Sequence, residues 1–127
     1  MMKRYLWGRA QSFKHAFSGL RPVFQSQCNV LIHFLATIGV VVLGLWLKLD
    51  FLEWAVLILT LSTVWVAEFF NTGLESVVDL ASPNIHPLAK KAKDIGAASV
   101  LIAAFFAVII GALILGPPLA DHIIKLF

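Results

Sequence analysis

Four polar or acidic side chains lie on one face of an otherwise apolar segment, WVAEFFNTGLESVVD, at residues 65–79. They are Glu68, Asn71, Glu75 and Asp79, at positions i, i+3, i+7 and i+11. On a helix, at about 100° per residue, this spacing places all four within an arc of roughly 80°, stacked over about three turns. Because the acids on this face repel one another, the pattern predicts a bound cation in a bundle interior or an aqueous site. The alternative is that these residues cap or pair helices as packing contacts.

Composition indicates the class of protein. The 127 residues are 60% hydrophobic and 13% charged, with a mean hydropathy of +0.89, whereas soluble domains carry about 25% charged residues. We therefore expect an integral membrane protein with one compact domain over residues 1–127. A single cysteine, Cys28, excludes an internal disulfide, and a catalytic thiol is the less favoured interpretation. No secretory signal is expected, because the first apolar run lacks a small-residue cleavage pattern.

Three apolar runs approach the roughly 17–25 residues that cross a hydrocarbon core. They are Val30–Leu47, Phe51–Ala67 and Ile95–Leu115. Trp46 and Trp54 flank the turn between the first two runs, where an aromatic belt is expected. We place Glu53 in this wet turn, near Lys48, rather than in lipid.

Basic residues predict the orientation of the spans. Eight of the ten lysines and arginines precede the first span or lie between the second and third. The positive-inside rule then places the amino terminus in the cytoplasm and the carboxy terminus outside the inner membrane.

The second helix is expected to be longer than its span. From Leu52 to Leu80 it would measure about 43 Å, against a hydrocarbon core of about 30 Å. Glu68 then lies near the inner interface, and Glu75 lies about 10 Å further towards the cytosol. This depth suits chemistry at the interface better than a pore through the bilayer.

The first 28 residues are interpreted as an amphipathic helix on the membrane surface. Apolar residues recur there at helical spacing, at Leu6, Phe13, Phe17, Leu20 and Phe24. Pro22 predicts a break near Gly19–Pro22.

In the third span, small residues permit close helix packing, at Ala103, Ala107 and Gly111. Since three spans cannot enclose a large site, we expect a homo-oligomer.

The segment ASPNIHPLAKKAKD, at residues 81–94, is expected to be a basic loop with turns at Ser-Pro and His-Pro. Free backbone amides at Asp94–Ala97, with Lys93 beside them, would favour a phosphate. Lys90 and Lys91 are better explained by topology and attraction to anionic lipid. The histidines share no metal-ligand spacing, and His33 in the first span is interpreted as a packed or hydrogen-bonded side chain.

Three segments resemble those of a known family. They are FKHAFSGL (Phe13–Leu20), AEFFNTGLESVVDL (Ala67–Leu80) and HPLAKKAKDIGAASVLIA (His86–Ala103). On these segments the chain resembles the small prokaryotic diacylglycerol kinase and undecaprenol kinase family over essentially its whole length. The resemblance implies an all-α integral membrane protein with an amphipathic amino-terminal surface helix and three transmembrane helices. It also implies a homotrimer that moves the γ-phosphate of ATP to a membrane lipid alcohol at the cytoplasmic interface.

The resemblance also implies roles for individual residues. Glu68 matches the general base for the lipid hydroxyl, and Glu75 matches a carboxylate that binds Mg²⁺. Positions around the nucleotide and its phosphates are matched by Asn71, Asp79, Lys93 and Asp94. Where the family usually has a glutamate in a T-E-x-N pattern, this chain has Gln27 within S-Q-C-N. A second metal carboxylate is therefore missing, and weaker metal or nucleotide affinity is expected.

Two other classes of protein stay open. A small multidrug or ion transporter is also short and carries an intramembrane glutamate, but its key acid is expected near the midplane. Glu68 near one interface, beside a basic loop, argues against it. A non-catalytic membrane subunit would explain the loss of the metal carboxylate at Gln27. Among lipid kinases, the S-P-x-x-H-P-L-A-K-K loop is more similar to the undecaprenol branch than to the diacylglycerol branch.

Overall fold

The computed structural model describes residues 11–26 and 28–126. Residues 11–18 are helical, and four labelled helices follow along the chain. They are α1 (Leu20–Ser26), α2 (Cys28–Leu47), α3 (Phe51–Ala81) and α4 (Pro87–Ile124). In this part of the chain every regular element is helical, and three of the helices are long and apolar enough to cross a membrane. The prediction of an all-α fold is therefore confirmed for the described residues, and the three long apolar helices are compatible with the predicted membrane protein.

The amino-terminal region breaks at Gly19, as predicted. The Gly19 N–H donates to the carbonyls of His15 and Ala16, at 3.1 Å each, and Gly19 forms a turn between residues 11–18 and α1. Pro22 does not cause the break: it is the third residue of α1, where an N–H has no acceptor within the helix. Phe13 and Phe17 are exposed, and Leu6 lies outside the described residues. Attachment of this region to a membrane surface stays a prediction.

The turn between α2 and α3 is closed by hydrogen bonds at both helix ends. Lys48 adopts a left-handed backbone with φ of 55°, which ends α2. Asp50 caps α3: its carboxylate accepts the Glu53 N–H at 2.9 Å, and the Glu53 carboxylate accepts the Asp50 N–H at 2.8 Å. Glu53 therefore lies in the first turn of α3, next to the predicted turn, and its partner there is the backbone of Asp50 rather than Lys48.

Both α3 and α4 are longer than a bilayer core is thick. With 31 and 38 residues, they measure about 46 and 57 Å, against about 30 Å for hydrocarbon. The predicted range of the second helix, Leu52–Leu80, agrees with α3 to one residue at each end. The two helices therefore have room to extend together beyond the membrane.

The start of α4 differs from the prediction. The helix begins at Pro87, with His86 as its N-cap: His86 Nδ1 accepts the Leu88 N–H at 3.2 Å. A proline is favoured at a first helical position because its missing N–H would have no helical acceptor there. The backbone amides of Asp94–Ala97 therefore lie about two turns inside α4, within its regular hydrogen bonding. The predicted set of free amides at these residues is wrong, and the connecting loop is only residues 82–86.

The three long helices bury a few apolar side chains, among them Leu57 and Val100, together with polar side chains on α3. α3 and α4 make the most extensive contact, and α2 contacts both over shorter stretches. Most large apolar side chains point outwards, as expected for a protein surrounded by lipid or by other subunits. Along the small-residue run, Ala107 and Gly111 line an apolar cavity of about 360 Å³, and a methyl group at Gly111 would contact nothing within 4 Å. Gly111 is therefore not closely packed against another helix of the described chain. Close packing of this run between chains stays a prediction.

Candidate functional site

The most buried polar groups of the described chain are clustered on α3. Glu68 is only 1% exposed, and Asn71 and Thr72 are 6% and 7% exposed. The Thr72 hydroxyl donates to the Glu68 carbonyl of the preceding turn at 3.0 Å, which satisfies it within the helix. The Glu68 carboxylate and the Asn71 side-chain oxygen have no such bond within α3, so their surroundings depend on what α2 and α4 place against them. Buried polar groups of this kind are costly and usually serve function.

A cavity of about 230 Å³ lies between α2, α3 and α4, next to this cluster. Its α3 wall consists of Glu68, Asn71 and Glu75, so the structure brings three of the predicted site residues together. The α2 wall contributes Asn29 and His33, whereas small and aliphatic side chains form the α4 wall. The cavity thus has a polar side made by α2 and α3 and an apolar side made by α4.

Glu68 faces a histidine across this cavity. His33 Nε2 lies 3.9 Å from Glu68 Oε2, with 15% of the imidazole and 2% of the carboxylate exposed. This separation exceeds a hydrogen bond of about 2.7–3.2 Å, but it lies within reach of an ion pair or of a small side-chain rotation. The sequence pattern gave His33 only a packing or hydrogen-bonding role. Its position opposite Glu68 depends on how α2 is rotated against α3, which periodicity does not specify.

Asn71 connects the acids to α4. Its Nδ2 donates to Glu75 Oε1 at 3.0 Å, while its Oδ1 is buried and accepts no hydrogen bond from the described residues. Gly96 of α4 is buried directly against this oxygen: a Cβ added there would overlap Asn71 Oδ1 and lie 3.0 Å from Leu74 Cδ2. Gly96 is thus a site residue that the sequence analysis missed. A glycine within an otherwise apolar helix, where it costs helix stability, was the available signal.

The remaining predicted residues form a second group at the α3–α4 turn. Asp79, Lys93 and Asp94 line a separate cavity of about 290 Å³, together with His86 and Lys90. Lys93 Nζ lies 2.5 Å from Asp79 Oδ1, and both side chains are partly exposed. An exposed ion pair of this kind stabilises by only about 0–1 kcal/mol, so Lys93 can exchange Asp79 for a ligand at little cost.

One predicted site residue cannot be placed. Gln27, where the resembled family has a metal carboxylate, lies outside the described residues. Within residues 11–26 and 28–126, no group of three or more His, Cys, Asp or Glu side chains could hold a metal by itself.

Replacement of Gly96 by alanine tests the contact between α4 and Asn71. The added methyl would displace Asn71 and break its hydrogen bond to Glu75. We therefore expect the phosphate transfer that the resemblance implies to slow by about 10²-fold, the usual effect of a displacement of about 1 Å in a site. Gly116→Ala is the matched control on the same helix, because its methyl meets open space and Gly116 lines none of the cavities described between the helices or at the α3–α4 turn. It should keep activity. Equal activity of both variants in detergent would contradict a role for the Gly96 contact.

The fold and the site define a class: a small all-helical protein with three helices able to span a membrane, and a Glu–Asn–Glu column on α3 of which Glu68 and Asn71 are buried. The chain belongs to the prokaryotic diacylglycerol kinase family, whose model matches residues 14–115. It is 44% identical over 109 residues to the diacylglycerol kinase of Synechocystis, covering 85% of this chain and 62% of that protein. It is 36% identical over 109 residues to the undecaprenol kinase of Bacillus subtilis, covering 86% of this chain and 89% of that protein. The diacylglycerol kinase of Escherichia coli is 34% identical over 95 residues, with 75% and 78% covered.

These matches confirm the family inferred from the three sequence segments. Both enzyme names in that inference recur among the relatives, so the class of lipid kinases is supported, and neither a transporter nor a non-catalytic subunit is favoured. The matched residues include all of α1 to α3 and most of α4, and hence both cavities. The chain spans about three fifths of the length of the Synechocystis relative, at 62%.

Proposed function

We propose that this chain is an ATP-dependent lipid kinase that transfers the γ-phosphate of ATP to a membrane lipid alcohol, undecaprenol or diacylglycerol. The observation that carries the proposal is the buried carboxylate of Glu68, which lines a cavity between the three long helices. Among the described residues, no lysine or arginine lies within hydrogen-bond distance of it. An acid held there is poised to accept a proton from a hydroxyl that enters from the lipid side. Family membership supports the same reaction.

Glu68 is the proposed general base, and the other proposed roles belong to residues that line two cavities, one between the three long helices and one at the α3–α4 turn. The deeper cavity is the one of about 230 Å³ between the three long helices. There, Glu68 takes the proton of the lipid hydroxyl, while the Asn71 amide holds the carboxylate of Glu75 by a hydrogen bond. At the α3–α4 turn, Lys93 would leave Asp79 to bind phosphate oxygens, with Asp79 and Asp94 bordering the nucleotide. Phosphoryl transfer needs mainly such positioning and charge stabilisation.

The donor atoms fit Mg²⁺ as a cofactor. Mg²⁺ prefers hard oxygen ligands and is usually held by one or two carboxylates plus substrate phosphates. Glu75 would supply the carboxylate, and the buried Asn71 Oδ1 is an oxygen that no hydrogen bond from the described residues satisfies. When bound, the ion would neutralise charge on the phosphates. The absence of a three-ligand cluster among the described residues agrees with an ion that arrives with ATP.

The apolar cavity of about 360 Å³ offers a path for the lipid chain. It lies beside the polar cavity and shares Ile32, His33 and Ala104 with it. Its other walls are nearly all aliphatic, including Leu57 and Val64 of α3. A lipid whose chain lies along this cavity would present its hydroxyl to Glu68 at the polar end.

The proposed enzyme is a homotrimer in the inner membrane, with its amino terminus in the cytoplasm and its carboxy terminus outside. Two broad apolar grooves along α3, of about 460 and 500 Å³, both contain Phe69 and Phe70 and stay uncovered within one chain. Such surfaces suit another subunit or lipid. The orientation rests on the basic residues, which lie mostly on the side of the α3–α4 turn.

Transfer of radiolabelled phosphate from ATP to a panel of lipid alcohols tests the proposed function. Purified protein in mixed micelles should label undecaprenol or diacylglycerol in the presence of Mg²⁺, and the ratio of the two rates identifies the preferred lipid. The Glu68→Gln variant, prepared identically, is the control for contaminating kinases. If no alcohol in the panel were labelled, the proposal of a lipid kinase would be contradicted. The remaining hypotheses would then be a non-catalytic subunit or a transporter.

A further inference from the structure

We infer that His33 is a positioning residue that orients the carboxylate of Glu68 for proton transfer. The inference rests on the proposed role of Glu68 as general base. It adds a residue on α2, a different helix from the one that carries the acids. Its basis is the placement of the imidazole across the cavity from a carboxylate that is almost fully buried.

The geometry brings one nitrogen to one carboxylate oxygen. His33 Nε2 lies 3.9 Å from Glu68 Oε2, and both side chains line the cavity of about 230 Å³. Catalytic hydrogen bonds are often long in a protein without its substrate and shorten when the substrate binds. If a side-chain rotation brought the two atoms about 1 Å closer, the Nε2–H group of His33 would donate a hydrogen bond of ordinary length to Glu68 Oε2. Such a bond would hold Oε2 and leave Oε1 to face the substrate hydroxyl.

Few other polar groups face Glu68 from the helices packed around it. On α3 the nearest acid is Glu75, seven residues along, which repels rather than binds a carboxylate. The cavity wall from α4 is apolar, with Ala97, Val100 and Leu101. Lys93 is engaged with Asp79 at the other cavity. Of the described side chains that line the deeper cavity, His33 is therefore the one that combines a titratable nitrogen with proximity to Glu68.

A side-chain bridge between helices fixes the height of His33 relative to Glu68. Thr37 Oγ1 donates to the His33 carbonyl at 2.7 Å and accepts from Trp65 Nε1 at 3.1 Å. Trp65 precedes Glu68 by three residues, so it lies on the neighbouring turn of the same face of α3. The turn of α2 that carries His33 is thus tied to the turn of α3 that carries Glu68. This tie sets the two side chains at one level along the helix axes.

The test compares two replacements of His33. Leucine removes the N–H but keeps an apolar side chain suited to a membrane helix, whereas glutamine carries an amide nitrogen at a reach similar to that of Nε2. We expect His33→Leu to lower kcat by about 10²-fold, the usual effect of misplacing a catalytic group by about 1 Å, with the KM for ATP and for lipid within about twofold. His33→Gln should recover most of the lost kcat. The same leucine exchange at His122, which stacks on Trp46 near the opposite end of the helices, is the matched control and should change neither parameter.

A double-mutant cycle separates an effect through Glu68 from a general one. If His33 acts by orienting Glu68, His33→Leu should cause no further loss in a Glu68→Gln chain. The inference is overturned by normal kcat in His33→Leu, by glutamine performing no better than leucine, or by losses that multiply in the double variant. Full activity of Glu68→Gln alone would be a different result: it would remove the proposed base itself, and the inference with it.

Discussion

Replacement of Glu68 by glutamine is expected to lower kcat for phosphate transfer by about 10²–10⁴-fold, the usual contribution of a general base. Glutamine has nearly the same size and can fill the same buried place, but its amide cannot accept the proton of the lipid hydroxyl. The measurement is the initial rate of labelled lipid formation at saturating ATP, Mg²⁺ and lipid. Because the change removes an interaction made in the transition state, both kcat and kcat/KM should fall together.

The same exchange at Glu53 is the matched control for this prediction. Glu53 lies on the same helix but at its other end, where it caps the backbone of Asp50 rather than lining a cavity. Glu53→Gln should keep normal turnover, since a glutamine can still accept that N–H. Thermal unfolding should show that Glu68→Gln stays folded, because a neutral amide is less costly to bury than a carboxylate. Near-normal turnover in a folded Glu68→Gln chain would reduce Glu68 to a packing residue.

The course of the helices was largely predictable from hydropathy and length. The first span was predicted from Val30 and the structure starts α2 at Cys28, while both end at Leu47. The second helix was predicted to continue beyond its apolar span, since its polar residues keep helical spacing as far as Asp79. In the structure, α3 continues to Ala81. Polar side chains at helical spacing mark the face of a membrane helix that turns away from lipid, so this face could be found without any tertiary information.

The start of α4 was predicted less well, for a specific reason. Hydropathy marks where a helix enters hydrocarbon, whereas backbone hydrogen bonding marks where it begins. The charges at Lys90–Asp94 delayed the predicted span to Ile95, although His86 and Pro87 form an ordinary helix start. The phosphate site expected from free amides at Asp94–Ala97 followed from that late start. Lys93 keeps its place opposite the acidic face, as its ion pair with Asp79 shows.

The composition of the site was predictable, but its cross-helix contacts were not. Glu68, Asn71 and Glu75 could be predicted as one group, because helical spacing along a single segment already places them on one face. The approach of His33 to Glu68 and of Gly96 to Asn71 depends on the rotation and register of three helices against one another. Those variables are set by side-chain packing along the entire interface. A single sequence therefore identifies the acids and leaves their partners on α2 and α4 undetermined.

The second large effect is expected at Glu75, the proposed Mg²⁺ ligand. Glu75→Ala should abolish phosphate transfer at any practical Mg²⁺ concentration, because it removes the carboxylate next to Asn71. That variant also takes away the acceptor of the Asn71 amide, so its loss has two causes. Glu75→Gln separates them: its side-chain oxygen can still accept the Asn71 N–H, but its charge is gone.

If charge on the metal is what Glu75 supplies, Glu75→Gln should lose about 10²–10³-fold in rate at a fixed, moderate Mg²⁺ concentration, in the range found for removal of one preorganised electrostatic group. Part of this loss should return as Mg²⁺ is raised, since phosphate oxygens can still bind the ion. Titration of the rate against Mg²⁺, at constant ATP, gives the shift in the concentration for half-maximal activity. Asp121→Asn, near the carboxy-terminal end of α4, is the matched control and should leave the titration unchanged. An unshifted midpoint in Glu75→Gln would contradict metal binding at Glu75 and would leave that carboxylate as the acceptor that holds Asn71.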